Sequence, residues 1–143
     1  MEGGLIKTYL HYRTIAETMN RARNDINPSN LRCVCVLLNR QRLVSIGVNK
    51  RKTHPLVKKL GYKIYRRRYP LHAELDAWIQ AKNKRERFDT MMVYRGYEAN
   101  LPSCPCHICS MWIRNLSVRV VYTSAIGISI AHSDKLVGHL KEE

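Results

Sequence analysis

The chain has 143 residues, 45% of them hydrophobic and 25% charged, which is ordinary for a folded protein with one sizeable core and excludes a disordered or repetitive sequence. Residues 1–143 read as a single domain. No stretch approaches the roughly 20 uncharged apolar residues of a membrane span, and Met1-Glu2-Gly3-Gly4 lacks a secretory start, so a cytoplasmic protein is expected. The net charge of +14 is far from ordinary and points to a polyanionic partner, because a field of one sign concentrates polyanions near the surface.

Taken in chain order, Ile15, Met19 and Ala22 fall at helical spacing, which predicts a helix from Thr14 to about Arg23. Leu31 to Leu38 is an apolar run of strand length. Asn39 to Arg42 reads as a turn and Leu43 to Val48 as the second arm of a hairpin. Asn49 to Tyr69 has no clean period and reads as a long loop. Pro70 suits the first turn of a helix whose apolar face is Leu71, Leu75, Trp78 and Ile79. Thr90 to Arg95 is a third strand, and a helix opens near Cys106 with Ile108, Met111, Trp112 and Leu116 inward. Ser117 to Tyr122 is a fourth strand and Ile128 to Ala131 a fifth, before a short terminal helix. The gap between the last two strands is too short for a parallel crossover, so the fifth is expected antiparallel. This order implies helices packed on a mixed sheet of four to five strands.

The charge is uneven. Between Asp25 and Glu74 no residue is acidic, and Lys50, Arg51, Lys52, Lys63, Arg66, Arg67 and Arg68 lie in that interval. Tyr62, Tyr65 and Tyr69 are interleaved with the later ones, a pattern that suits phosphates and stacked bases equally with a loop packed on its own domain.

Five cysteines is an odd number, and three crowd into Cys104, Cys106 and Cys109, which fits a metal site better than disulfides. Cys33 and Cys35 alternate along a strand and read as small buried hydrophobes facing one side. Cys106 and Cys109 sit three apart at a helix start, where both thiols point the same way and thiolate is favoured. His72, at the start of the other helix, supplies a third ligand. Catalytic zinc sites use three protein ligands and keep one position for water. Glu74 is too close in sequence to His72 to be a comfortable fourth ligand and is placed to move a proton. Cys104 and His107 offer a competing arrangement, a closed four-ligand structural clip, although His107 reads more simply as an exposed helix residue.

His72-Ala73-Glu74 together with Pro105-Cys106-His107-Ile108-Cys109 resembles the zinc signature of the cytidine deaminase-like superfamily. Cys109 to Tyr122 resembles the helix and strand after the zinc cysteines in deoxycytidylate deaminases. Ser45 to Asn49 resembles the strand end that meets the substrate sugar. Lys52-Thr53-His54-Pro55 is similar to small phage and bacterial deaminase-like proteins, and tRNA adenosine deaminases share the superfamily. The resemblance covers about Leu31 to Tyr122. It implies a three-layer α-β-α fold, Zn2+ as cofactor, and His72, Cys106 and Cys109 as its ligands. It further implies Glu74 as proton shuttle, Asn49 on the sugar, and Ala73 N–H and the Cys104 carbonyl on the base. Cys104 stands where relatives usually carry Ser or Glu.

Two substrates remain open on these grounds, cytosine in single-stranded DNA or RNA and a free cytidine nucleotide, with the breadth of the basic interval favouring the polynucleotide. A zinc-stapled nucleic-acid-binding module without turnover would explain charge and cysteines but not Glu74. Relatives are often dimers or larger, which makes a homo-oligomer the expected assembly.

Overall fold

A computed structural model describes residues 2–23, 32–50 and 71–136. The elements are α1 (Glu2–Ala22), β1 (Cys33–Asn39), β2 (Arg42–Val48), α2 (Ala73–Lys84), β3 (Thr90–Arg95), α3 (His107–Ile113), β4 (Arg119–Ser124) and β5 (Gly127–His132), followed by a 3-10 turn at Ser133–Lys135. They form one five-stranded sheet in the order β2-β1-β3-β4-β5. β3 and β4 are parallel and joined through α3; every other neighbouring pair is antiparallel, β4–β5 included. The mixed sheet and the antiparallel last strand agree with the sequence pattern.

Strand alternation splits the core into two layers. Cys35 and Leu37 of β1, Met91 and Val93 of β3 and Val120 of β4 pack under α2 and α3. Val34, Val36, Leu38, Met92, Tyr94 and Val121 face the other way, onto α1. Cys33 and Cys35 do share a face. Cys35 is fully buried, Cys33 packs against the same cluster, and burial pushes the Cys33 thiol up to about 12.

α1 begins at Glu2, twelve residues before the start that the apolar spacing indicates, and it is rotated. Its buried line is Leu5, Tyr9, Ala16 and Asn20, while Ile15 is exposed. The polar members explain the difference. Tyr9 stacks on Tyr94 with centroids 4.4 Å apart and donates its hydroxyl to the Val93 carbonyl at 2.7 Å. Asn20 donates to the Gly96 carbonyl at 2.9 Å. The Tyr9 hydroxyl and the Asn20 amide nitrogen are hydrogen-bonded where they are buried, which a hydrophobic pattern does not register.

α2 starts later than expected. Leu71 still lies in a bridge to Lys50, with the Lys50 N–H donating to the Leu71 carbonyl at 2.8 Å, and His72 is the residue that caps the helix. Pro70 lies outside the described residues. The face that α2 buries is Ala73, Leu75, Ala77 and Ala81 with Glu74 and Asp76, whereas Trp78 and Ile79 are half-buried at its rim. Small residues are required there because the helix lies directly on β2. A Cβ on Gly47 would fall 2.3 Å from Ala77 N and 2.4 Å from Ala73 O. A bulge reinforces the contact: Leu37 faces Ser45 and Leu38 faces Leu43, so Val44 is the extra residue. Val44 joins the core under α2, and Ser45 donates its hydroxyl to the Ala77 carbonyl at 2.8 Å.

Gly47→Ala forces helix and strand apart, since both obstructing atoms are backbone. It should cost at least about 2 kcal/mol in urea unfolding, at the upper side of overpacking effects. A loss below about 0.5 kcal/mol would mean that the helix–strand contact is looser than described.

Candidate metal centre

The sheet brings two helix starts together. His72 has extended backbone (φ −80, ψ 158) and makes no side-chain cap to α2, so its ring is directed elsewhere. Cys106 caps α3 with its side chain, accepting from the Cys109 N–H at 3.5 Å. The His72 Nδ1 atom lies 3.5 Å from Cys106 Sγ and 3.6 Å from Cys109 Sγ. The three donor atoms are all within 4.8 Å of one another. A tetrahedral zinc ion, with bonds of about 2.0–2.1 Å to nitrogen and about 2.3 Å to sulfur, sets such donors roughly 3.5 Å apart. The donor set therefore fits zinc both in chemistry and in spacing. Cys104 and His107 are not in this group; among the described residues it is His72, Cys106 and Cys109.

The Cys106 side chain beside it and full burial push the Cys109 thiol well up, with the Glu74 charge adding to the effect. A thiolate bias from the helix start is thus outweighed by burial until a cation arrives. Burial lowers the His72 affinity for protons, but its hydrogen bond to Cys106 and the charges of Cys106 and Glu74 outweigh this and leave it raised. Glu74, second residue of α2, is 6% exposed, and burial raises its carboxyl above the usual range.

Of the other expected site residues, Ala73, Asn49, Cys104 and Lys50 are among the described ones. Ala73 is fully buried and is the first residue of α2, so its N–H has no acceptor within the helix. Asn49 follows β2; its Oδ1 accepts from the Cys33 N–H at 2.9 Å and from Arg23 at 2.8 Å, so the side chain is held at the strand end. Cys104 is half-buried, and burial raises its thiol. Lys50 is in an ion pair, its Nζ 3.2 Å from Asp76 Oδ1. Arg51, Lys52, Lys63, Arg66, Arg67 and Arg68 lie outside the described residues, as do Tyr62, Tyr65 and Tyr69. His107 is half-buried rather than exposed, with its Nδ1 buried and unpartnered among the described residues.

Four residues that the motifs do not contain hold the site in shape. Asp76 accepts the Val48 N–H at 2.9 Å in addition to the Lys50 ion pair, tying the end of β2 to the first turn of α2. Ser103 donates to the Val93 carbonyl at 2.7 Å and accepts from the Thr123 N–H at 2.9 Å, which fixes the segment entering Cys104. Arg23 and Arg95 are cations at the same end of the sheet. Arg23 binds Asn49, and Arg95 acts electrostatically on His72 and Glu74. A four-residue sequence offset from His72 was a signal for Asp76; nothing in the sequence separates Arg23 or Arg95 from the many other arginines.

A mixed sheet between helical layers, with one imidazole and two thiols at paired helix starts, defines a zinc protein of the deaminase kind. The chain belongs to the cytidine and deoxycytidylate deaminase zinc-binding family, whose sequence profile matches residues 7–125. Solved structures agree on the fold. Cytidine deaminase from Burkholderia pseudomallei aligns at 19% identity with a TM-score of 0.59, covering 88% of this chain and 94% of that one. Cytidine deaminase from Mycobacterium tuberculosis aligns at 16% identity with a TM-score of 0.56, covering 87% and 89% respectively. A comparison with curated protein sequences finds no match.

Purified protein should carry about one zinc per chain by metal analysis. His72→Ala and Cys106→Ser should lose most of it while Cys104→Ser keeps it; zinc loss in Cys104→Ser would indicate the closed clip instead. Because raised thiols must give up protons to bind metal, zinc affinity should rise with pH, as chelator competition between pH 6 and 8 would show. A flat profile would contradict the protonation described.

Proposed function

We propose that the protein is a hydrolytic deaminase that converts cytosine to uracil with release of ammonia, acting in the cytoplasm on a polyanionic substrate. The observation that carries this reading is a buried Glu74 two residues from His72, beside a donor set of three. His72, Cys106 and Cys109 would hold zinc, which would supply a Lewis acid that activates water at neutral pH. Glu74 takes one proton from the attacking water and passes it to the ring nitrogen beside the attacked carbon. It then carries the remaining hydroxyl proton to the amine, which leaves as ammonia as the carbonyl forms. A carboxyl raised by burial suits both halves of that transfer, since it is a stronger proton acceptor than an exposed carboxylate and still returns the proton. The Ala73 N–H, without an acceptor in its helix, is available to a base carbonyl, and the Cys104 carbonyl accepts from the amine. Asn49 faces the sugar, held by Arg23 and the Cys33 N–H.

The substrate class rests on charge. A net +14, with the acid-free interval running from Asp25 to Glu74, favours single-stranded DNA or RNA over a free cytidine nucleotide. In this reading Arg51, Lys52, Lys63, Arg66, Arg67 and Arg68 bind phosphates, and Lys50 does so only after leaving Asp76. Sequence likeness to deoxycytidylate deaminases after Cys109 supports the nucleotide as the second reading.

Glu74→Gln should keep its zinc and lose turnover by at least about 100-fold, the lower range for a lost proton-transfer group. Unchanged deamination would remove the proposed mechanism. Mass analysis of products from single-stranded DNA, RNA and each cytidine nucleotide separates the substrates. Turnover confined to nucleotides would contradict the polynucleotide reading.

A further inference from the structure

At the end of the sheet opposite the metal centre, Asn39, Arg40, Arg42 and Arg87 line an open cleft of about 450 Å³. Arg40 and Arg42 belong to the β1–β2 hairpin, Arg87 to the segment between α2 and β3. The two segments are fixed to one another. The Asp89 N–H donates to the Leu38 carbonyl at 2.9 Å, and the Arg40 N–H donates to Asp89 Oδ2 at 3.0 Å. The carboxylate at this junction is therefore committed: its other oxygen accepts from the Thr90 hydroxyl at 2.9 Å. Among the described residues, no carboxylate forms an ion pair with Arg40, Arg42 or Arg87.

Three exposed guanidiniums gathered on one concave surface repel one another, and an anion entering the cleft relieves that repulsion. Turn chemistry does not account for them. Arg40 and Gln41 both adopt left-handed backbone, with φ 51 and 67, in a two-residue hairpin turn where Asn-Gly is the usual pair. A long cationic side chain at such a position is not dictated by the local backbone.

We propose that this cleft is a phosphate-binding site separate from the metal centre, taking phosphate groups of a polynucleotide backbone or of a free nucleotide. The planar fork of Arg matches phosphate oxygens two at a time, and the hairpin–Asp89 contacts fix the two backbone segments that carry the three arginines. Strands of seven residues put roughly 20 Å between the cleft and the zinc ligands, so occupancy of one does not require the other. The site goes beyond the deaminase reading and does not depend on it.

Zinc-loaded, isotope-labelled protein titrated with pyrophosphate, and separately with a single-stranded oligonucleotide, tests this by backbone amide NMR. Saturable shifts centred on Arg40 to Arg42 and Arg87 to Asp89 are expected with at least one probe, and the responding probe identifies the phosphate source. The double variant Arg42→Gln/Arg87→Gln, whose exposed positions leave the core intact, should weaken that binding about tenfold or more while keeping its zinc. Absence of saturable shifts there with both probes, or shifts that survive in the double variant, would overturn the proposal.

Discussion

The seating of α2 on β2 is the constraint from which the rest follows. Backbone meets backbone at Gly47, with Ala73 and Ala77 on the other side, and this closeness is possible only without a Cβ on the strand. Asp76 then closes the contact by accepting the Val48 N–H and pairing with Lys50. Because His72 caps the same helix, the strand end carrying Asn49 and the imidazole are located relative to one another by a few short bonds. A ligand placed on a loop would have no comparable support.

α3 is positioned by different means. It crosses between the parallel strands β3 and β4, and its Trp112 stacks on Trp78 of α2 with centroids 4.8 Å apart. That contact joins the helix bearing Cys106 and Cys109 to the helix bearing His72 and Glu74. The donor atoms therefore converge at separations that suit zinc, and burial raises the Cys109 thiol and the Glu74 carboxyl. The same burial that makes the metal-free centre electrostatically unfavourable makes a cation there strongly favourable. Folding supplies the energy for that arrangement through the two apolar layers on either side of the sheet.

Much of this was legible in the sequence, for physical reasons that differ by element. β3 matches its expected bounds because Thr90 to Arg95 is β-rich and bounded by polar residues. The antiparallel β5 followed from loop length alone. Zinc spacing was readable because ligand geometry restricts which residues can stand three apart at a helix start. The α1 face was not, because Tyr9 and Asn20 are buried through hydrogen bonds that only the folded partners Val93 and Gly96 provide. The roles of Asp76 and Ser103 in holding the site are equally tertiary: each bridges segments distant in sequence. The Arg40–Arg42–Arg87 cleft joins two residues of the basic interval to one beyond it, so charge counting along the sequence did not group them.

The central claim is that His72, Cys106 and Cys109 hold zinc as a three-ligand site with one position left for exchange. X-ray absorption at the zinc edge of the purified protein tests it most directly. The account predicts two sulfur neighbours at about 2.3 Å, one imidazole nitrogen, and one further light-atom neighbour that changes when a small anion is added. Three sulfur neighbours, or a second imidazole with no exchangeable position, would show a closed structural clip and contradict it.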